Sequence, residues 1–340
     1  MQFLMPYLKS LSWVLLLAAS FLLSACGDGE DEGPHLPVMQ LDSARLYVAG
    51  VSSGGIMAQQ LHLAWPEEIQ GIAVFTASPY ACAREGLRAA LFQCMATSRG
   101  APQVQALLEV IQTRVEAGQL GDLNALQNTR AYLYQAGADP VIQAPVTQET
   151  LGLYQQLLPA EHLASHRQPQ AGHGLPTVDQ GVDCARTASP FVNACGYSGA
   201  SASLDHLDGS VRQAVQATAQ GTLELFNQRP LSGSSKSLEA WGYYYVPPQC
   251  ATRTCGVTLV LHGCEQGAEA VGTDFIKQSG YLQQADARDL VIVFPQIQRT
   301  LTNPKGCWDW WGYESSAFDT REGSQIQALR RIWQQLLAEQ

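Results

Sequence analysis

Three side chains of this sequence have the types and the order needed for nucleophilic catalysis. Ser52 lies in a Gly-x-Ser-x-Gly run at residues 50–54, directly after a short apolar stretch. This pattern predicts a strand, a sharp turn and a helix, with the serine hydroxyl raised above the sheet as a nucleophile. Ordinary glycine-rich loops also contain such runs, so a base and an acid elsewhere in the chain must support the assignment.

His173 and Asp139 are the candidate base and acid. His173 lies between two glycines in a predicted turn, whereas the other histidines fall in a tether, in a helix or in less readable polar stretches. The aspartates that compete with Asp139 are Asp122, Asp179 and Asp183. Its place directly after a predicted strand favours Asp139. A neutral imidazole can take the serine proton, and a carboxylate fixes its tautomer, so the order Ser52, Asp139, His173 fits an α/β-hydrolase triad.

Alternating strands and helices must position these side chains. The predicted strands are 45–49, 71–77, 130–134, 242–246, 257–261 and 290–294, and the predicted helices are 53–64, 104–115, 148–158 and 325–337. This alternation predicts a mostly parallel sheet flanked by helices, with the active site at the carboxyl ends of the strands. The segment 178–240 gives no clear pattern. Without an internal repeat or a compositional break, we expect one domain over residues 41–340.

The loop expected to supply part of the oxyanion hole does not lie at its usual place in the sequence. One amide of the hole comes from the residue after the nucleophile, Ser53, and the other normally from a loop upstream of the nucleophile. Upstream of Ser52 there is only a leader, a tether and one strand. The best candidate loop is Leu-His-Gly-Cys264-Glu-Gln, which follows the strand at 257–261. A circularly permuted α/β-hydrolase fold reconciles this order, with the first half of the sheet encoded last.

Five motifs of the chain form a recognisable set: Gly-Val-Ser52-Ser-Gly-Gly, Gly-Ala-Asp139-Pro, Gly-His173-Gly-Leu-Pro-Thr, Leu-His-Gly-Cys264-Glu-Gln and Cys307-Trp-Asp-Trp-Trp-Gly. Together they resemble the polyhydroxybutyrate depolymerase family, and more narrowly its circularly permuted branch. The resemblance covers roughly residues 41–338. It implies hydrolysis of poly(3-hydroxybutyrate) or its oligomers through an acyl-enzyme, with the three residues above as the triad and no cofactor. It also implies an oxyanion hole formed by the amides of Ser53 and Cys264.

A tryptophan-rich loop supplies a candidate substrate wall. Trp308, Trp310 and Trp311 follow Cys307 and offer rigid apolar area with a polar N–H group. We expect at least one of the three to pack in the core instead.

Eight cysteines remain when Cys26 is set aside. They are Cys82, Cys94, Cys184, Cys195, Cys250, Cys255, Cys264 and Cys307. An even number in an exported protein indicates disulfides, although eight cysteines allow 105 pairings. Short loops favour pairing them in sequence order up to Cys255, which leaves Cys264 with Cys307. A metal site is not expected, because no Cys-x-x-Cys pair is present.

The first 25 residues predict a signal peptide. Lys9 precedes an apolar stretch, which ends in Leu-Ser-Ala-Cys26 and resembles the lipobox of bacterial lipoproteins. We therefore expect a lipid on Cys26 as a membrane anchor, then a flexible acidic tether over 26–40. The alternative is a plain secretory signal. Gly27 at the next position favours the outer membrane, on its periplasmic or cell-surface side.

Composition limits the remaining classes of function. The chain of 340 residues has a formal net charge of -10, 46% hydrophobic and 15% charged residues. These values fit a globular enzyme and argue against nucleic-acid binding, which needs a basic face. We expect a monomer that acts on a polyester or oligomeric hydroxyalkanoate. The alternatives are a carboxylesterase for acetylated or feruloylated polysaccharide, and a non-catalytic surface lipoprotein that binds polymer.

Overall fold

The central element of the fold is a twisted, mostly parallel β-sheet. A computed structural model of the chain describes residues 33–209 and 218–338. The strands in this part of the chain are β1 (Leu41–Val51), β2 (Gly71–Phe75), β3 (Arg130–Ala136), β4 (Leu163–Gln168), β5 (Leu175–Thr177), β6 (Val182–Asp183), β7 (Val192–Ala194), β8 (Thr222–Asn227), β9 (Trp241–Val246), β10 (Cys255–Leu261) and β11 (Leu290–Phe294).

Helices connect and cover these strands. The α-helices of the described residues are α1 (Ser53–Ala64), α2 (Leu87–Ala89), α3 (Val104–Glu116), α4 (Ala144–Leu157), α5 (Gly199–Leu207), α6 (Arg229–Ser232), α7 (Ala268–Val271), α8 (Asp274–Gln278), α9 (Tyr281–Arg288) and α10 (Ser324–Leu337). A π-helical segment (Ala90–Met95) continues α2, and short 3-10 turns lie at Leu123–Asn128, Ala160–His162 and Pro248–Ala251. None of the helices in the described ranges is both long enough and apolar enough to cross a membrane.

The strand order confirms the predicted circular permutation. Among the described residues the large sheet runs β4-β3-β2-β1-β10-β11-β9-β8, and only β9 runs against the other strands. Strands β8 to β11, encoded last, form one half of the sheet, and β1 to β4 form the other. Strand β1 pairs with β10 in parallel, Gly50 opposite Leu261. The strand that precedes Ser52 therefore lies in the middle of the sheet.

Both faces of the sheet are buried, which explains the near-continuous apolar strands. Alternate residues of β1 contribute to opposite faces, Leu46 and Val48 to one core and Tyr47 and Ala49 to the other. Helices α1, α3, α4 and α10 cover the first face, and α5, α8 and α9 cover the second. The predicted apolar face of α10, with Ile326 and its helical neighbours, is buried as expected.

Three parts of the fold were not read from the sequence. Helix α4 begins at Ala144, four residues before the predicted start, with a proline in its first turn. Strand β4 is a polar edge strand, so it lacks the apolar run that marks a buried strand. The segment 178–240 contains β6, β7, α5 and β8, and β5, β6 and β7 form a small second sheet. Its strands are too short to show a period.

The predicted leader and Cys26 lie outside the described residues. Of the predicted tether over 26–40, residues 33–40 are described, and these contact the domain. Leu36 is buried, and the Pro34 carbonyl accepts a hydrogen bond from the Asn227 amide (2.7 Å). Contact with the domain therefore begins before β1.

Candidate active site

Ser52 lies in a strained turn between β1 and α1. Its backbone has φ 55° and ψ -121°, a conformation that non-glycine residues rarely adopt. The turn is held from both sides: the Ser52 N–H donates to the Phe75 carbonyl (2.9 Å), and its carbonyl accepts from the Ile56 amide (3.0 Å). Strain that the surrounding backbone maintains is typical of a nucleophile elbow.

The glycines of the motif are required by close backbone approach. A Cβ on Gly50 would lie 2.1 Å from the Gly54 carbonyl oxygen, and a Cβ on Gly54 would lie 2.3 Å from that of Leu261. Neither clash could be relieved by a side-chain rotation, because both involve backbone atoms. The glycines thus let the start of α1 pack directly against the end of β10, beside the predicted oxyanion loop.

Asp139 and His173 form a buried hydrogen-bonded pair at the carboxyl end of β3. Asp139 Oδ2 lies 2.7 Å from His173 Nδ1, and Asp139 Oδ1 accepts from the amides of Val141 (2.7 Å) and Ile142 (2.9 Å). A carboxylate can only accept, so Nδ1 donates, which leaves Nε2 free to take a proton when the imidazole is neutral. The two turn amides hold the carboxylate in its position.

The backbone around His173 is also fixed by hydrogen bonds. The His173 N–H donates to Thr187 Oγ1 (2.9 Å), and the Leu175 N–H donates to the Phe191 carbonyl (2.9 Å). The Phe191 ring lies edge-on to the imidazole, with 6.5 Å between centroids. Segment 187–191 therefore supports the histidine loop on both sides of the imidazole.

The predicted oxyanion loop follows β10 and borders the nucleophile. A Cβ on Gly263 would lie 3.2 Å from the Ser52 Cβ, which places the glycine directly beside the elbow. Cys264 forms a disulfide with Cys307, and the Glu265 N–H donates to the Lys305 carbonyl (2.7 Å). These two links join the oxyanion loop to the tryptophan loop.

The described residues contain four disulfides, with the pairing that short loops favoured. They are Cys82–Cys94, Cys184–Cys195, Cys250–Cys255 and Cys264–Cys307. Such bonds form and persist in an oxidising compartment.

One cavity collects most of the predicted site residues. It has a volume of about 430 Å³, and Ser52, Ser53, His173 and Cys264 all line it. Asp139 lies behind the imidazole and not in the wall. The remaining wall is largely apolar, with Ile56, Leu87, Leu91, Met95, Trp310 and Trp311. The arrangement places the candidate nucleophile, the candidate base and the two residues predicted to supply oxyanion amides around an apolar space that an ester could enter.

The tryptophans of the loop divide between wall and core. Trp310 and Trp311 line the cavity, whereas Trp308 is fully buried and packs against the His262 ring. The assignment of Trp308 as a substrate-binding residue is therefore wrong. Its backbone N–H points to Ser53 Oγ (3.3 Å), so it supports the site from behind.

One wall of the cavity was not predicted from the sequence. Leu87 and Leu91 lie in α2 and the π-helical segment, and both are partly exposed. A signal was present, because the loop closed by Cys82–Cys94 contains apolar residues without the period of a core helix. Only the folded chain shows that this loop turns them toward Ser52.

Comparison with known proteins identifies close relatives, although no family model matches the chain. A poly(3-hydroxybutyrate) depolymerase of Delftia acidovorans is 31% identical over 327 residues, which are 94% of this chain and 65% of that protein. The chain thus spans slightly less than two thirds of that relative. A polyhydroxybutyrate depolymerase of Talaromyces funiculosus is 28% identical over 324 residues, 90% of this chain and 94% of the relative.

Solved structures show the same architecture. The PHB depolymerase of Penicillium funiculosum has a TM-score of 0.83 at 28% identity, covering 89% of this chain and 99% of its own. A PHB depolymerase complexed with an R3HB trimer has a TM-score of 0.83 at 27% identity, with the same coverage.

Proposed function

We propose that this chain, which is similar to polyhydroxybutyrate depolymerases over about nine tenths of its length, is a serine esterase for short-chain polyhydroxyalkanoates. Its substrate would be poly(3-hydroxybutyrate) or its oligomers. The observation that carries the proposal is the placement of Ser52, the Asp139–His173 pair and two candidate oxyanion amides around one apolar cavity.

The first half of the reaction is acylation of Ser52. The Ser52 Oγ attacks the ester carbonyl carbon while His173 Nε2 takes the hydroxyl proton, and Asp139 stabilises the resulting imidazolium. The negative charge that develops on the carbonyl oxygen is met by the amides of Ser53 and Cys264. The imidazolium then gives its proton to the alkoxide of the leaving chain, which departs with a free hydroxyl end.

The second half removes the acyl group. Water gives a proton to His173 and attacks the acyl carbon, and the same two amides, of Ser53 and Cys264, stabilise the oxyanion. Collapse of the intermediate breaks the bond to Ser52 Oγ, which regains its proton from the imidazolium, and releases a hydroxyacid. No cofactor enters either step, because nucleophile, base and oxyanion donors all come from the protein.

The cavity wall supports this class of substrate. An ester chain with methyl branches carries no charge along its length, and Trp310 and Trp311 provide apolar area beside the nucleophile. The relative complexed with an R3HB trimer shows that a protein of this architecture binds such an oligomer.

We propose that the mature protein is a lipoprotein attached through Cys26 to the outer membrane. The lipobox-like sequence before Cys26 supports the attachment, and the four disulfides of the described residues support an oxidising compartment. A Cys26→Ser variant expressed in a bacterium should move from the membrane to the soluble periplasmic or medium fraction. Equal membrane recovery of both forms would contradict the anchor.

Activity assays with a panel of esters test the enzymatic proposal. The panel sets poly(3-hydroxybutyrate) granules and hydroxybutyrate oligomers against p-nitrophenyl butyrate and feruloyl esters, with Ser52→Ala as the control. We expect release of hydroxybutyrate by the wild type and none by Ser52→Ala. If the wild type hydrolyses feruloyl esters but none of the hydroxybutyrate substrates, the result would favour the polysaccharide esterase instead. Hydroxybutyrate release that Ser52→Ala retains would contradict the assigned nucleophile.

A further inference from the structure

Gln266 is a buried side chain that the proposed mechanism does not use. It lies two residues after Cys264, and only 1% of its surface is exposed. Its Oε1 accepts a hydrogen bond from the Gly263 N–H (2.6 Å), and its Nε2 donates to the carbonyls of Pro190 (2.9 Å) and Phe191 (3.0 Å). Both amide hydrogens and the oxygen therefore have partners, and those partners belong to two different loops.

At one end, Gln266 helps to fix the oxyanion loop. The peptide on the other side of Gly263 is held as well, because its carbonyl lies 2.7 Å from His262 Nδ1. His262 Nε2 accepts from the Ile297 amide (3.3 Å), so Nδ1 carries the hydrogen. The Gly263 carbonyl and the Cys264 N–H share one planar peptide group, and fixing the carbonyl fixes the direction of the N–H.

At the other end, Gln266 contacts the segment that supports the histidine. The Phe191 carbonyl that accepts from Gln266 also accepts from the Leu175 amide, two residues after His173. Phe191 has φ 57°, a conformation that costs energy for an aromatic residue and persists only when its neighbours hold it. The amide of Gln266 thus joins the backbone of the oxyanion loop to the backbone around the base.

We propose that Gln266 is a positioning residue that fixes the Cys264 amide and the His173 loop relative to each other for acyl transfer. This inference rests on the proposed esterase function. Oxyanion donors act only when they are already oriented toward the charge that develops in the transition state. Loss of the link should therefore lower kcat and leave KM nearly unchanged, because ground-state binding does not use the oriented amide.

The main test replaces Gln266 by an apolar side chain of similar length. Gln266→Met should lower kcat for p-nitrophenyl butyrate by about 10- to 100-fold, somewhat less than loss of a whole oxyanion donor. KM should change by less than about threefold, since substrate binding is retained. The rate at which a p-nitrophenyl alkylphosphonate labels Ser52 should fall by a similar factor, because its tetrahedral product places an oxygen in the same hole.

The matched control is Gln228→Met. Gln228 is also buried, and its Oε1 accepts from the Gln296 amide (3.1 Å) while its Nε2 donates to the carbonyls of Glu239 (2.8 Å) and Gln296 (3.1 Å). It makes the same kinds of hydrogen bonds, but its partners belong neither to the oxyanion loop nor to segment 187–191. We expect it to lower the urea midpoint about as much as Gln266→Met and to keep kcat within about twofold.

A second variant keeps the proposal testable where Gln266→Met does not fold. Gln266→Glu retains the acceptor for Gly263 but faces two carbonyl oxygens, an environment that raises the pKa of a carboxyl group. Its kcat relative to wild type should rise as the pH falls from 8 to about 5, since only the protonated acid can donate.

Two results would overturn the inference: unchanged kcat and labelling in Gln266→Met despite reduced stability, or a Gln266→Glu ratio that does not depend on pH. Absence of Ser52-dependent hydrolysis in the wild type would instead overturn the proposed function. The wild type and Ser52→Ala are therefore measured first.

Discussion

At the scale of single residues, the site depends on which atom of each polar side chain forms which hydrogen bond. Asp139 uses one oxygen for two turn amides and the other for His173 Nδ1, so the imidazole tautomer follows from the backbone of the β3 turn. Asp122, an alternative acid by sequence, accepts instead from the Asn124 amide as the N-cap of a 3-10 turn. Hydrogen-bond partners therefore separate two aspartates that composition cannot distinguish.

This difference gives a prediction for the acid. Asp139→Asn should keep the turn, because an amide oxygen can still accept, but it presents the wrong group to Nδ1 and favours the unproductive tautomer. We expect kcat to fall by about 10³- to 10⁴-fold with a small change in the urea midpoint. Asp122→Asn is the control and should retain full activity. Equal activities of the two variants in ester hydrolysis would refute Asp139 as the acid.

At the scale of elements, the oxyanion loop and the tryptophan loop behave as one unit. The Cys264–Cys307 bond closes a loop with a sequence separation of 43, and the Glu265–Lys305 backbone hydrogen bond lies beside it. Asp309 fixes the other half of the tryptophan loop, since its carboxylate accepts from the amides of residues 312–315. A wall of the cavity and a candidate oxyanion amide are thereby held in register.

Removal of this disulfide should affect both stability and turnover. For Cys264→Ser with Cys307→Ser, loop entropy predicts a loss of about 4 kcal/mol of unfolding free energy, and we expect a decrease in kcat of about tenfold. Cys250→Ser with Cys255→Ser is the control, since that bond spans a separation of only 5 and lies away from the cavity. It should cost about 2 kcal/mol and leave kcat unchanged. Full turnover of the first double variant with unchanged thermal stability would exclude the proposed coupling.

The tryptophan loop gives a second prediction at this scale. Trp311→Ala should raise KM for hydroxybutyrate oligomers about tenfold, which corresponds to about 1.4 kcal/mol of lost contact, and should hardly affect p-nitrophenyl acetate. Trp308→Ala should instead lower the unfolding free energy by about 3–5 kcal/mol, because it opens a cavity in the core. Steady-state kinetics and urea titration distinguish the two. If Trp308→Ala raises KM and Trp311→Ala does not, the assignment of Trp311 to the cavity wall and of Trp308 to the core would be wrong.

At the scale of the whole molecule, the burial of two neutral histidines contributes to the response to acid. Burial lowers the pKa of His62 to about 3 and that of His262 to about 4. His62 is held neutral between Thr129 (2.9 Å) and Tyr154 (3.4 Å) inside α1. Unfolding returns both side chains to an ordinary pKa near 6.5, so the unfolded chain binds more protons below that pH.

Each of the two histidines should therefore lower the unfolding free energy by about 1.4 kcal/mol per pH unit as the pH drops below about 6.5, while buried Asp309, whose pKa burial raises to about 6, acts in the opposite direction. Urea titrations at pH 6.5 and 5.0 measure this slope. His62→Gln keeps a hydrogen-bonding side chain without a titrating group. It should lower the number of protons taken up on unfolding by about one, and so reduce the pH dependence of the unfolding free energy. Identical pH dependence of wild type and variant would show that His62 does not contribute.

The sequence by itself predicted those features that depend on residues only a few positions apart. The glycines around Ser52, the strand before Asp139 and the short-loop cysteine pairs each carry their own geometric requirement, because turn sterics and loop length act over short separations. The position of the oxyanion motif after the triad also revealed the permuted strand order, since the fold permits few alternatives.

Contacts between side chains that are distant in sequence became visible only in the folded chain. The separation of Trp308 from the cavity, the wall formed by Leu87 and Leu91, and the link from Gln266 to segment 187–191 all join residues that lie far apart in sequence. The bond between the Trp308 amide and Ser53 spans 255 positions. Contacts of this kind depend on how the two halves of a permuted sheet pack together, and packing leaves no local pattern in a sequence.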